Sequence, residues 1–201
     1  MVAIVDYGMG NVASVQKALN FLKVESIITN DHELIQQAKT ILLPGVGSFV
    51  QGMKNLQERG LDKLLTEEVL VNKKNFIGIC LGMHLIMEKG FEPEECLGLG
   101  WIKGVVKMFE LKNLAIPHMG WNDIQVLNNE YYNDCETKDF YFIHSYHVNL
   151  ENQNEIAATA NYGYDFVASI QKENIFATQF HPEKSQNSGL TILKSFFEKN
   201  A

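Results

Sequence analysis

The sequence predicts an α/β fold: three layers, with a mostly parallel central sheet flanked by helices on both faces and additional antiparallel strands. Three observations predict it. Short apolar runs alternate with stretches of helical periodicity, the order that builds a parallel sheet covered on both sides. Pro44-Gly45 closes an apolar run with turn residues. Residues 97–148 are richer in Gly, Asn and aromatics and read as more antiparallel. At 201 residues, 46% hydrophobic and 20% charged, the chain can bury one core, and a single domain over 1–201 is expected.

Ala3-Ile4-Val5 is a short apolar strand. Val12, Val15, Leu19 and Leu22 recur at helical spacing, so a helix follows it. Residues 25–29 (ESIIT) form the second strand and Ile41-Leu42-Leu43 the third. The spacing then predicts a helix over about 52–71, a fourth strand at 76–79 and a helix over 81–89. Strands are expected at 140–144 (FYFIH) and 175–180 (IFATQF). Leu190, Ile192, Leu193, Phe196 and Phe197 make a closing amphipathic helix.

A formal charge of −7 argues against a nucleic-acid partner. The N-terminal MVAIVDYGMGN has no basic region and no long apolar run, so no signal peptide is expected. No stretch approaches the ~20 apolar residues of a membrane span. Cys80, Cys96 and Cys135 are odd in number and widely spaced, which suggests neither a disulfide framework nor a zinc site. A reducing cytosol is the expected setting, with no metal and no organic cofactor indicated.

In open α/β sheets, ligands bind beyond the carboxyl ends of the strands. Asp6-Tyr7, Pro44 to Gly47, Cys80 and His181 all lie just past a predicted strand. Gly78-Ile79-Cys80-Leu81-Gly82 has the form G-x-C-x-G, in which a strand turns sharply into a helix and thrusts a nucleophile above the sheet. A helix N-terminus favours a thiolate and leaves backbone N–H groups free for an oxyanion. Alone, the pentapeptide could equally be a buried structural cysteine between packing glycines. A thiol needs a base, and the base needs an orienting group. Phe180-His181-Pro182-Glu183 supplies both: His181 can deprotonate Cys80, and Glu183 can hold the other ring nitrogen. His84, four residues after Cys80, shares its helix face but is poorly aimed to be the base. His144 and His147 would point to opposite faces of one strand, a poor metal pair, and His32 and His118 are read as surface or loop residues. Gly8-Met9-Gly10-Asn11-Val12-Ala13, with Asp31 downstream, also fits a dinucleotide fingerprint, but that reading leaves Cys80, His181 and Glu183 idle.

G-I-C-L-G with a distant F-H-P-E resembles the class I, triad-type glutamine amidotransferases. The stretches IVDYGMGN (4–11), LPGVG (43–47), PHMGWN (117–122), YFIHSY (141–146) and QFHPEKS (179–185) narrow the resemblance to HisH-type glutaminase subunits of imidazole glycerol phosphate synthase. It covers essentially the whole chain. The resemblance implies a flavodoxin-like fold and hydrolysis of glutamine to glutamate and ammonia. The ammonia would pass to a HisF-type (β/α)8-barrel cyclase in a 1:1 heterodimer. There it would convert a phosphoribulosyl-formimino-carboxamide nucleotide (PRFAR) into imidazole glycerol phosphate and an aminoimidazole carboxamide ribotide (AICAR), in histidine biosynthesis. By the family's pattern Cys80 forms a glutamyl thioester, His181 relays the proton and Glu183 orients it. Amides of Val46 and Leu81 would form the oxyanion hole after a peptide flip triggered by the partner. Gly45, Gly47, His84, His144, Ser145 and Tyr146 would surround the substrate, and Asn11, Trp121 and Lys184 would lie near the partner.

Two departures from the pattern carry expectations. The family usually has glutamine at the position of His84. A histidine there should make activity fall at mildly acid pH more steeply than His181 alone requires. The segment Glu88-Lys89-Gly90-Phe91-Glu92-Pro93 also departs. It raises an alternative: a paralogue that feeds ammonia to an amidating enzyme of surface-sugar synthesis.

Overall fold

Val2–Val5 (β1) is apolar and buried throughout, as a strand between two helical layers must be. The computed structural model describes residues 1–127 and 129–200. Val12–Phe21 (α1) follows, its first turn capped by Asn11, whose side chain accepts from Ser14 N–H. Next come Ser26–Thr29 (β2), His32–Gln37 (α2), Thr40–Gly45 (β3), Phe49–Glu58 (α3) and Leu61–Thr66 (α4). Asn75–Cys80 (β4) leads directly into Leu81–Leu85 (α5). Met87–Phe91 (β5), Glu95–Leu97 (β6), Ile102–Met108 (β7), His118–Val126 (β8), Asp139–His144 (β9) and Tyr146–Leu150 (β10) make up the middle. Ile156–Asn161 (β11), Asp165–Lys172 (β12), Ile175–Thr178 (β13) and Gln186–Lys199 (α6) complete the chain.

The main sheet is mixed, in the order β2-β1-β3-β4-β13-β12-β11-β8-β9. The five strands from β2 to β13 run parallel. Those from β12 to β9 extend the sheet antiparallel. A smaller sheet, β10-β7-β5-β6, stands apart from it. Successive strand residues point to opposite faces, so each parallel strand feeds two cores. Ala3, Val5, Ile41 and Leu43 pack with α2, α3, α4 and the small sheet. Val2, Ile4, Leu42 and Ile77 pack with Val15 and Leu19 of α1 and with Ile192, Leu193 and Phe196 of α6. Three layers result, as the alternation of elements predicts.

Some elements differ from their sequence expectation. The helix expected over 52–71 is α3 and α4 separated by Gly60, in a left-handed conformation (φ +65°), followed by one wide turn at Glu67–Val71. The helix expected over 81–89 stops at Leu85, and the chain extends as β5. Backbone N–H groups of Leu99, Gly100, Trp101 and Ile102 take the carbonyls of Leu85, Ile86 and Met87, which stops further helical turns. Tertiary pairing overrides local periodicity there.

Candidate active site

β3, β4 and β13 lie side by side, so their carboxyl ends converge. Gly45 is the register partner of Cys80, and Thr178 pairs with Ile79. Cys80 closes β4 with φ +53° and ψ −106°. That conformation costs a residue with a Cβ about 1–3 kcal/mol, and persists only when its surroundings fix it. They do so here through close approach: a Cβ on Gly82 would lie 1.9 Å from the Leu43 carbonyl oxygen. The sharp strand-to-helix turn expected at residues 78–82 is formed.

His181 follows β13 and is held by backbone on both sides. Its N–H donates to Tyr141 O (2.9 Å), and its carbonyl accepts from Ser185 Oγ (2.6 Å). Nδ1 lies 2.8 Å from Glu183 Oε1, with both side chains buried. Nδ1 therefore carries a proton and donates it, which leaves Nε2 as the nitrogen free to accept one. Nε2 is buried and makes no hydrogen bond of good geometry. Burial, the largest influence on His181, pulls its pKa down. The Cys80 sulfur, then Glu183, act the other way and prevail, raising it to about 10. The site is built to hold an imidazolium between a sulfur and a carboxylate.

Cys80 opens onto a cavity of about 420 Å³. Val46, Gly47, Leu81, His84, His144, Ser145 and Tyr146 line it with the cysteine, and so does Lys184, which was expected near the partner instead. Gly45 lies behind the wall, where a Cβ would come 2.1 Å from the Tyr7 hydroxyl. Asn11 and Trp121 are outside it, on the surface. The Lys184 ammonium sits 5.9 Å above the Tyr141 ring. A larger groove, about 610 Å³, runs between Phe21, Trp121 and the start of α6, but among the described residues no cysteine or histidine lines it.

A class I glutamine amidotransferase sequence profile matches residues 3–200. The chain is a class I glutamine amidotransferase. It is 50% identical over 199 residues to imidazole glycerol phosphate synthase subunit HisH 1 of Campylobacter jejuni, covering 98% of each chain. It is 44% identical over 210 residues to subunit HisH 1 of Methanococcus maripaludis, covering 98% of this chain and 99% of that one. The amidotransferase thus belongs with the HisH subunits. Its fold matches a crystal structure of a glutamine amidotransferase with a TM-score of 0.79 at 18% identity, covering 100% of this chain and 99% of the other.

His32 is exposed, as read from the sequence, but the amidotransferase places other histidines differently. His118 is buried in β8, not in a loop, and its Nδ1 lies 2.9 Å from His144 Nε2. His144 Nδ1 donates to Tyr146 O (2.8 Å), so Nε2 accepts from His118, and both ring nitrogens are used within the protein. His144 and His147 lie in separate strands, and both rings pack on Phe109. His84 is fully enclosed, and burial lowers its pKa to about 4 against the weaker pull of Gln179. That lowering disfavours a charged His84 at mildly acid pH and so argues against the second acid-limb titration expected for it. Asp31 is taken up as the cap of α2, accepting from Leu34 N–H.

Sequence reading missed two residues. Glu92 is the one carboxylate lining the cavity among the described residues. Burial raises its pKa, and the Phe49 N–H on Oε2 opposes that rise. Gln179, wholly buried, places Nε2 3.8 Å from Cys80 Sγ. The only signal for Gln179 was its place two residues before His181.

Proposed function

We propose that the chain is the glutaminase of imidazole glycerol phosphate synthase and works through a Cys80–His181–Glu183 triad. The strained Cys80 elbow beside the His181–Glu183 pair carries this reading. His181 takes the thiol proton, and the thiolate attacks the carboxamide carbon of glutamine. The developing oxyanion is stabilised by the amides of Val46 and Leu81, the latter in the first turn of α5, where N–H groups have no helical partner. As the tetrahedral intermediate collapses, His181 gives its proton to the departing ammonia and a glutamyl thioester remains. Water then loses a proton to His181, attacks the thioester and releases glutamate and the thiol. Glu183 keeps the imidazole in one tautomer and stabilises its charged form. Glu92 offers the charge complement to the α-ammonium of glutamine.

Free ammonia becomes ammonium in neutral water and ceases to be a nucleophile. A shielded transfer is therefore needed, and a HisF-type (β/α)8-barrel cyclase in a 1:1 complex is the acceptor this reading assigns. It would turn PRFAR into imidazole glycerol phosphate and AICAR. Exposed apolar side chains support a docking face here: Val46 at the cavity, with Met119 (60% exposed) and Trp121 (50%) on β8. Asn11 and Lys184 would border it. Among the described residues no helix is long and apolar enough to cross a membrane. The three free cysteines suit a reducing cytosol.

The test is synthesis by the chain mixed with a HisF-type cyclase and PRFAR. The wild-type complex should use glutamine. A Cys80→Ala complex should fail with glutamine yet still use added ammonia. Glutamine-driven synthesis by Cys80→Ala would reject the mechanism. Glutaminase activity that responds only to a sugar-amidating enzyme would reassign the acceptor.

A further inference from the structure

Cys80 has a neighbour that the triad does not use. Gln179 is fixed by its own backbone, whose N–H donates to Ala168 O (2.9 Å), and its side chain has no exposure. One end of its amide, Nε2, is 3.8 Å from Cys80 Sγ. The other end, Oε1, is 2.7 Å from His84 Nε2.

An amide's oxygen and nitrogen are alike in shape, so chemistry must orient it. A sulfur that becomes an anion needs a donor, and an oxygen facing it would repel. The NH2 end therefore faces Cys80. The oxygen then needs a donor of its own. A neutral His84 has a single ring proton, and placing it on Nε2 supplies that donor. The three side chains form one directed chain: His84 donates to Gln179, and Gln179 donates to the sulfur.

We propose that Gln179 is a second hydrogen-bond donor to the Cys80 thiolate, and that His84 acts through it as a positioning residue. This rests on Cys80 being the nucleophile. Gln179 stabilises the sulfur when it carries charge, before attack and again as the thioester breaks. Its bond weakens while the sulfur is acylated, which is the differential interaction that lowers barriers. Glutamine, the family's usual residue at position 84, can also donate one N–H to Oε1. The departure at His84 therefore leaves the relay intact.

The test is the rate at which iodoacetamide alkylates Cys80 in the intact protein at neutral pH, read from the mass of the Cys80 peptide. Gln179→Leu and His84→Leu should each slow alkylation about tenfold, the loss of one hydrogen bond to a charged group. The double variant should be no slower than either single one, because both remove the same bond. His84→Gln should alkylate at close to the wild-type rate, a rescue that mere packing would not require. Should leucine disrupt the fold, as judged by near-ultraviolet circular dichroism, the near-isosteric Gln179→Glu carries the test. Its carboxylate should slow alkylation further than leucine's predicted loss. Unchanged alkylation in Gln179→Leu or Gln179→Glu, or additive slowing in the double variant, overturns the proposal. Failure of the nucleophile assignment looks different: Cys80→Ala would still hydrolyse glutamine.

Discussion

At position 183 a carboxylate and an amide have nearly the same shape but different chemistry. Glu183 Oε1 accepts from His181 Nδ1 at 2.8 Å inside a buried site. Glu183→Gln keeps the shape, loses the charge and can present an N–H that selects the other tautomer. Its kcat for ammonia release should fall by about 10²- to 10⁴-fold, with KM nearly unchanged. Loss of binding alone would raise KM instead. His84 makes a second residue-scale prediction. Because burial lowers its pKa to about 4, its ring signals in NMR should not titrate between pH 5 and 7. The acid limb of the pH–rate profile should be the same in wild type and His84→Gln. Cys80, His181 and Glu183 were legible because each chemical feature sits inside a few consecutive residues. The positions of His118, Gln179 and Glu92 were not. Each acquires its surroundings from strands far away in the chain, and nothing local marks that meeting.

The elbow between β4 and α5 depends on two elements touching with no side chain between them. Gly82 lies against the backbone of β3, where an added methyl would meet the Leu43 carbonyl oxygen at 1.9 Å. No rotamer change relieves a clash with backbone, so β3 or α5 must move. Gly82→Ala should destabilise the fold by about 3 kcal/mol, measured by urea unfolding, and should lower activity by displacing Cys80. An alanine protein of wild-type stability would mean that α5 and β3 are not in backbone contact at Gly82. The parallel strands were readable because strands buried on both faces carry unbroken apolar runs, as in β1 and in Ile41, Leu42 and Leu43 of β3. The end of α5 was not. Residues 81–89 carry a helical pattern, and only pairing with β6, with β7 and with the segment between them turns their second half into β5.

Across the whole molecule, titration is divided between two kinds of histidine. His84, His118, His144 and His147 are all lowered, burial being the main cause in each. Their unfolded forms take up protons near pH 6.5, while the folded forms resist until lower pH. Folding therefore loses stability as pH falls below about 6.5, by about 1.4 kcal/mol per pH unit for each histidine involved. His181 has the opposite sign. It is raised to about 10, so the stability it contributes is complete below its unfolded value near 6.5 and is lost as pH rises toward 10. Urea unfolding across pH should show a maximum between these limits, and a slope steeper than one proton on the acid side. A flat profile from pH 4 to 7 would contradict the buried histidine cluster. The most direct measurement of the central chemistry is the mass of the protein quenched during turnover of glutamine with a HisF-type cyclase present. A glutamyl group on the peptide containing Cys80, absent from Cys80→Ala, is the predicted result. Steady hydrolysis with Cys80 never modified, and undiminished in Cys80→Ala, would contradict it.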